Sequence, residues 1–313
     1  MASFLTALIH RLTSLLLFVT LTTFATAHAT PGARLPVVAS FSILGDLVEQ
    51  VGGERVEVHT LVGPGADAHA YQPTPADARR LARARLVVVN GLGFEGWIER
   101  LIESAGYRGP LVVASRGAQV LPLPTSTDRG HAHSHPVANA DPHAWQDISN
   151  ARRYVDNIAA ALTAADPAGA TSYQANAGRL NEQLKQLENE IRITLSTLPA
   201  ERRTIVTSHD AFAYFGRAYG IRFIAPVGVS NDAEPSAADV AAIIRQLRQN
   251  RIKTVFLETM TDPRLLQRIS SESGARVGGT LYSDSLAKPG TPAATYLGMM
   301  RENLRTLRAA LLD

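Results

Sequence analysis

Residues 167–198 read PAGATSYQANAGRLNEQLKQLENEIRITLSTL, and this stretch sets the organisation of the chain. Its apolar residues recur at steps of three and four, which is the pattern of an amphipathic helix with one buried stripe. Asp166 and Pro167 supply a helix cap and a first-turn proline, and Pro199 ends the pattern. A helix of this length spans about 48 Å, more than one small lobe. We expect it to join two lobes stiffly; the alternative is an ordinary core helix of one domain.

Short β-type segments alternate with helical patterns on both sides of this helix. They are Leu35–Ser42, Val56–Val62, Leu86–Asn90, Leu111–Ala114, Thr204–Thr207, Arg222–Val227, Thr254–Leu257 and Val277–Tyr282. Such alternation favours parallel sheets with helices on both faces. The sequence therefore predicts an α/β fold class with two lobes, residues 30–165 and 199–313, whose parallel sheets are joined by a linking helix at 166–198.

Composition limits the chemistry that is available to the chain. Its 313 residues are enough for about two domains. The formal net charge is +3 without a dense Lys/Arg block, so we expect no nucleic-acid partner. The absence of cysteine excludes disulfides, thiol catalysis and thiolate metal ligands. Any metal site must therefore use His, Asp and Glu side chains.

Residues 1–29 have the composition of a secretory signal peptide. They contain Arg11 and no acidic residue, an apolar run at 12–24, and small residues that form A-x-A patterns at 25–27 and 27–29. The apolar run is shorter than the ~20 residues that a membrane-spanning helix needs. We expect cleavage near residue 27 or 29 and export to the periplasm, with a retained membrane anchor as the alternative. Because no cysteine is present to carry a lipid, we expect no lipid anchor.

Three histidines and one aspartate stand at strand-to-helix junctions. His69 lies in GADAHAYQPTP and His143 lies in DPHAWQD, both before the long helix. His209 ends TIVTSH and Asp284 lies in TLYSDSLA, both after it. In open α/β sheets, ligands collect outside the carboxyl ends of the strands. We therefore expect each lobe to contribute two ligands to a metal ion in the cleft between the lobes.

These segments, with SHDAFAYFGRAYGI and EPSAADV, resemble those of the metal-binding solute-binding proteins of ATP-driven zinc and manganese importers, the cluster A-I or cluster 9 family. The resemblance follows chain order over nearly all of the mature sequence. It implies two lobes joined by one rigid helix, a buried metal ion and no catalysis. Carried over residue by residue, it implies His69, His143, His209 and Asp284 as the ligands. The implied partners are the permease and the ATPase of an ABC importer, with a periplasmic metallochaperone as a candidate donor, and we expect a monomer.

The donor set favours zinc over other metals. Three imidazoles and one carboxylate complete a tetrahedral Zn²⁺ site, whereas a catalytic zinc keeps one position for water. Mn²⁺ prefers more oxygen ligands, and the manganese branch of the family often has Glu where this chain has His209. Mn²⁺ or Fe²⁺ as cargo remains the main alternative. An exported zinc hydrolase is a weaker one, because the chain has no H-E-x-x-H or G-x-S-x-G motif. An adhesin or structural protein would not need four separated ligands.

Further histidines and carboxylates have weaker predicted roles. The tract His131, His133 and His135 precedes the His143 segment; it is interpreted as a loop that captures or hands over metal, or else as a solvated loop. Glu258 follows the Thr254–Leu257 strand and either orients a ligand histidine by a hydrogen bond or serves as a helix cap or inter-lobe ion pair.

Two aspartates and one further histidine near the ligand segments are given structural roles. Asp67 and Asp141 each lie two residues before a candidate ligand, and we expect them to shape turns or cap helices. His59 lies in an alternating strand pattern, and we expect it to be structural. None of the three is predicted to bind the ion.

Overall fold

The computed structural model describes residues 33–123, 140–230 and 235–312. In these ranges the chain forms two four-stranded parallel sheets. The first contains β1 (Leu35–Phe41), β2 (Val56–Val62), β3 (Leu86–Val89) and β4 (Leu111–Val113), in the order β2-β1-β3-β4. The second contains β5 (Thr204–Val206), β6 (Arg222–Ile224), β7 (Thr254–Glu258) and β8 (Arg276–Leu281), in the order β6-β5-β7-β8. The predicted two-lobe α/β fold is confirmed.

Nine helices accompany the sheets in the described part of the chain. They are α1 (Ser42–Gly52), α2 (Pro75–Arg83), α3 (Ile98–Ser104), α4 (Ile148–Ala165), α5 (Ala170–Ser196), α6 (Ala213–Tyr219), α7 (Ala237–Gln249), α8 (Arg264–Ser273) and α9 (Tyr296–Leu311). We call the elements before α5 the N-terminal lobe and those after it the C-terminal lobe. The domain boundaries at 165 and 199 stay a prediction.

Both sheets have a topological switch point at their first strand. β1 pairs in parallel with β2 on one side and β3 on the other, and β5 does the same with β6 and β7. Because all the strands are parallel, their carboxyl ends meet at one edge of each sheet. Crevices at such switch points are where open α/β sheets bind ligands. The loops that leave β2, β5 and β8 therefore begin at ligand-binding edges.

Helix α5 is the long helix that the sequence pattern predicts. Its buried residues are the expected stripe: Tyr173, Ala177, Leu180, Leu184, Leu187, Ile191 and Leu195. A short 3₁₀ turn, Pro167–Gly169, precedes it. Helix α5 packs against α1 and α4 and also against α6 and α9, so it contacts both lobes. Asp166 is the N-cap residue of this turn and Pro167 lies in its first positions, as predicted, but the Asp166 carboxylate accepts hydrogen bonds from Arg55 and the Tyr173 hydroxyl rather than from the turn.

One apolar core runs through both lobes. It joins the β1 and β3 side chains and the inner faces of α1, α4 and α5 to Phe256 of β7, Leu281 of β8 and the buried face of α9. A smaller cluster lies under α7 and α8, on the other face of the second sheet. The two sheets therefore share the larger cluster, and the second sheet has the smaller one on its other face.

Some predictions concern residues outside the described ranges. Two of them are the signal peptide at 1–29 and the histidine tract of His131, His133 and His135. Both stay predictions. Among the described residues, no helix combines the length and the apolar character that a membrane crossing requires.

Candidate metal centre

Two loops of the N-terminal lobe present His69 and His143 through the same local turn. In each loop an aspartate two residues earlier accepts a hydrogen bond from the backbone N–H of the histidine. The distances are 2.8 Å from His69 to Asp67 Oδ1 and 2.9 Å from His143 to Asp141 Oδ1. Aspartates commonly form such turns with the backbone two residues further on. These aspartates shape turns, as their positions in the sequence suggest.

The ring of His143 is also held by Asp141. Oδ1 of Asp141 lies 2.8 Å from Nδ1 of His143, and both residues are buried. A carboxylate on one ring nitrogen fixes the orientation and the tautomer of a ligand histidine, and it makes the other nitrogen more basic. Asp141 therefore does more than shape a turn, and sequence reasoning did not assign it this contact with the ring.

His209 is held by a carboxylate from a neighbouring strand. It follows β5, and Glu258 is the last residue of the adjacent β7. Oε1 of Glu258 accepts hydrogen bonds from the backbone N–H groups of Ser208 and His209, at 2.8 and 2.9 Å. Oε2 of Glu258 lies 2.8 Å from Nδ1 of His209. These contacts fit a residue that orients His209, and that role stays a prediction.

The four candidate ligands converge on one point. Nε2 of His69 lies 3.3 Å from Nε2 of His143. The Asp284 carboxylate lies 3.0 Å from Nε2 of His209, 3.4 Å from Nε2 of His143 and 3.5 Å from Nε2 of His69. All four donor atoms lie within 4.8 Å of one another. His143, His209 and Asp284 are buried, and the His69 side chain is 5% exposed.

These separations match the size of a small metal ion. Ligand atoms at about 2.0–2.1 Å from a tetrahedral ion lie about 3.3 Å apart, by geometry from usual zinc bond lengths. With Oδ2 as the ligand atom of Asp284, three of the donor pairs are separated by 3.0 to 3.5 Å. Little side-chain movement is therefore needed for these donors to contact one ion.

The charges around the cluster are close to balanced without metal. Burial lowers the pKa of His143, but the charge of Asp284 and the contact with Asp141 outweigh burial and raise that pKa to about 9. Burial acts in the same direction on His209, where Glu258 and Asp284 raise the pKa well above its usual value. Burial raises the pKa of Asp284, and the two histidines overcome this and lower it well below its usual value. A divalent cation can replace the two ring protons without changing the buried charge.

His59 is placed apart from these ligands. Its half-exposed ring lies on β2, 3.8 Å from the Glu57 carboxylate, and it is not part of the four-residue cluster. The structure thus brings together the four residues that the sequence singles out and places Glu258 behind His209. His131, His133 and His135 lie outside the described residues.

Comparison of sequences identifies the relatives of the chain. Residues 37–310 match the family described as ZnuA, zinc-uptake complex component A, periplasmic. The manganese-binding lipoprotein MntA of Halalkalibacterium halodurans is 34% identical over 286 residues, which are 91% of either chain. The iron-binding protein YfeA of Yersinia pestis is 35% identical over 276 residues, 88% of this chain and 85% of YfeA. MntA is named as a lipoprotein, and its name therefore does not support the expectation of a protein without a lipid anchor.

Comparison of structures gives the same grouping. The periplasmic zinc binding protein TroA from Treponema pallidum has a TM-score of 0.80 and 29% identity, over 89% of this chain and 99% of TroA. The Mn-bound periplasmic metal binding protein from Candidatus Liberibacter asiaticus has a TM-score of 0.76 and 30% identity, over 88% of this chain and 98% of that one. These relatives are named for zinc, manganese and iron, so their names do not fix one metal. The chain belongs to the ZnuA family of metal-binding solute-binding proteins of ABC transporters, which are not enzymes.

Proposed function

We propose that this protein captures Zn²⁺ with His69, His143, His209 and Asp284 and delivers it to the permease and the ATPase of an ABC importer. The observation that carries the proposal is the convergence of three imidazole nitrogens and one carboxylate within 4.8 Å. An imidazole-rich donor set suits Zn²⁺. Four protein ligands also complete a tetrahedral site, which suits transport because no position stays open for a reacting water.

Mn²⁺ or Fe²⁺ is the second candidate cargo, and one feature of the site favours it. Both oxygens of Asp284 face the histidines, Oδ1 at 3.4 Å from His143 and Oδ2 at 3.0 Å from His209. A carboxylate that binds through both oxygens gives the ion a fifth ligand and more oxygen character, which Mn²⁺ accepts more readily than the imidazole-rich tetrahedral set. The names of MntA and YfeA point to the same two metals.

The carboxylates behind the ligands prepare the site for a cation. Asp141 and Glu258 each lie 2.8 Å from Nδ1 of their histidine, which leaves Nε2 as the nitrogen that faces the cluster. Capture releases the protons of His143 and His209. Because three of the four ligands are buried, the ion leaves only when the loops that carry them move apart.

Export and hand-over belong to the same proposal. Residues 1–29 would direct the chain to the periplasm as a cleaved signal peptide. The tract His131, His133 and His135 would pass the ion to the site from a donor such as a metallochaperone. Alanine at all three tract positions should slow metal transfer and leave equilibrium affinity unchanged. Unchanged transfer rates would assign the tract to an ordinary solvated loop.

The experiment that tests the proposal is a metal analysis followed by competition. Protein purified from the periplasm should hold one tightly bound zinc per chain, and the metal-stripped protein should select Zn²⁺ over equimolar Mn²⁺. The His209→Ala variant should lose that zinc, whereas His59→Ala, the matched control on β2, should keep it. Manganese that is retained against excess zinc would establish the second candidate instead. A protein that binds neither metal would overturn the transport proposal.

A further inference from the structure

Asp284 follows the last strand of the C-terminal lobe, but the chain leaves that lobe just before it. The last anchor on the C-terminal side is Tyr282. Its backbone N–H donates to Oδ1 of Asn303 on α9 at 2.8 Å, and its carbonyl accepts from Nδ2 of the same side chain at 2.7 Å. The next hydrogen bonds along the chain go to the other lobe.

The residue before Asp284 is bound to the turn that follows His143. The carbonyl of Ser283 accepts two hydrogen bonds, from Nε1 of Trp145 at 3.0 Å and from Nε2 of Gln146 at 2.7 Å. Trp145, Gln146 and Ser283 are all fully buried. A buried carbonyl with two donors is costly to detach, since both donors would lose their partner. The position of Asp284 is therefore tied to that of His143.

The residues after Asp284 are bound to the start of α1 and to the loop that carries His69. The N–H of Leu286 donates to Oγ of Ser42 at 3.0 Å. The N–H of Gly65 is shared between Oγ of Ser285 at 2.7 Å and the carbonyl of Leu286 at 3.1 Å. Ser42, Ser285 and Leu286 are buried. The segment that contains Asp284 thus has N-terminal partners on both sides.

His209 has a different set of anchors. Its backbone and ring are held by Glu258 of β7, and it forms a bridge with Val227, which follows β6. The N–H of the next residue, Asp210, donates to the carbonyl of Gly228. All of these partners belong to the C-terminal lobe.

We propose that the four ligands divide three to one between the lobes. His69, His143 and Asp284 form one half-site, in which the Asp284 segment is hydrogen-bonded to the segments that carry the two histidines, and His209 is the single ligand whose backbone anchors all belong to the C-terminal lobe. Gln146, Trp145 and Ser42 are then positioning residues that place the Asp284 carboxylate. This inference rests on the proposed function, because it concerns how that metal site is assembled. It replaces the even division of ligands that chain order suggests.

The test uses small changes to the positioning contacts. Gln146→Met removes the amide that donates to Ser283 and keeps the length of the side chain. Ser42→Ala removes the hydroxyl that holds Leu286. The matched control is Asn157→Leu on α4, which removes an amide that donates to two carbonyls of the N-terminal lobe at 2.8 Å, away from the cluster.

Each change is made in the unmodified protein, in Asp284→Ala and in His209→Ala. We expect Gln146→Met and Ser42→Ala to weaken Zn²⁺ binding about tenfold in the unmodified and His209→Ala backgrounds, as for other groups that orient ligands. In the Asp284→Ala background each should change affinity by no more than about twofold, because its effect acts through that carboxylate. The visible spectrum of bound Co²⁺ should shift in the first two backgrounds only. The control should change neither affinity nor spectrum.

The outcomes separate this inference from the function on which it rests. Weakening that persists in Asp284→Ala would show a general effect on the fold and would overturn the inference. Weakening that disappears in His209→Ala would group Asp284 with His209 and would also overturn it. A blank Zn²⁺ and Co²⁺ titration of the unmodified protein would instead overturn the proposed function. If one variant does not fold, the other one decides, because the two act on opposite sides of Asp284.

Discussion

His143 and His209 both have a carboxylate at Nδ1, but one carboxylate is close to its histidine in sequence and the other is distant. Asp141 is two residues before His143, in the same turn. Glu258 is 49 residues after His209 and reaches it only because β5 and β7 pair in the second sheet. The first histidine is therefore oriented by local sequence and the second by tertiary structure. The C-terminal part of the site should be the more sensitive of the two to changes in the fold.

The largest expected effect comes from removing a ligand. We expect His143→Ala or His209→Ala to weaken Zn²⁺ binding on the order of a hundredfold, because structural zinc sites provide roughly 10–16 kcal/mol from four ligands, or about 3 kcal/mol each. Competition against a chelator of known affinity measures this loss. His59→Ala is the control and should leave affinity unchanged. A loss of less than about threefold for both variants would mean that the ion is held elsewhere.

The next effect separates the two carboxylates. Oε1 of Glu258 faces two backbone N–H groups, and Oε2 faces the ring of His209. In Glu258→Gln the side-chain NH₂ group must therefore face one of these donors, where it cannot accept a hydrogen bond. Asp141 uses the same oxygen, Oδ1, for the backbone and the ring of His143, and Asp141→Asn can keep that oxygen in place. We expect Glu258→Gln to weaken Zn²⁺ binding by about 10- to 100-fold, and Asp141→Asn by less. Equal losses in calorimetric titrations would contradict this difference.

A gradual effect is expected from pH. Without metal, burial lowers the pKa of His143, and the stronger influence of Asp284 and Asp141 raises it to about 9. The ring binds metal only after losing its proton, so the apparent affinity should fall as pH decreases below that pKa. We therefore expect Zn²⁺ affinity to keep rising between about pH 7 and 9, whereas a histidine of ordinary pKa would level off above about 6.5. Titrations in buffers of different ionisation enthalpy should show proton release. An affinity independent of pH over this range would contradict the raised pKa of His143.

The smallest effect is expected at Asp67. Asn forms the same turn as Asp, and its side-chain oxygen can still accept the hydrogen bond from the N–H of His69. Asp67→Asn should therefore change Zn²⁺ affinity by no more than about twofold, since asparagine keeps the turn geometry. Asp67→Ala removes the oxygen and is the informative partner variant. If both variants weaken binding equally, the charge of Asp67 matters rather than the turn.

Patterns of period two and period 3.6 explain why the fold could be predicted from the sequence. The stripe of α5 and the run Val56–Val62 depend on spacing within one element, and both appear in the structure at the expected positions. These features depend on neighbours in sequence, which a single chain displays directly.

The features that sequence did not resolve depend on contacts between distant residues. Glu258 has two acceptable roles by sequence, and its contact with His209 depends on the pairing of β5 and β7. Asp284 follows a strand of one lobe, and the hydrogen bonds of the neighbouring Ser283 and Leu286 join its segment to the other. Asp166 occupies the cap position that the sequence predicts, but its carboxylate binds Arg55 and Tyr173. In each case several tertiary contacts are possible, and the spacing of residues along the sequence does not decide which one forms.

The apolar core that runs through both lobes has a consequence for how the protein melts. Two lobes with separate interiors would be able to unfold in two steps. Here Phe256 and Leu281 of the second sheet belong to the same buried cluster as the strands of the first sheet. Helix α5 contacts helices of both lobes. Loss of either lobe would expose apolar surface of the other, so we expect the heat-capacity trace to show one endotherm whose calorimetric and van't Hoff enthalpies agree. The scaffold that holds the cluster would then be a single cooperative unit.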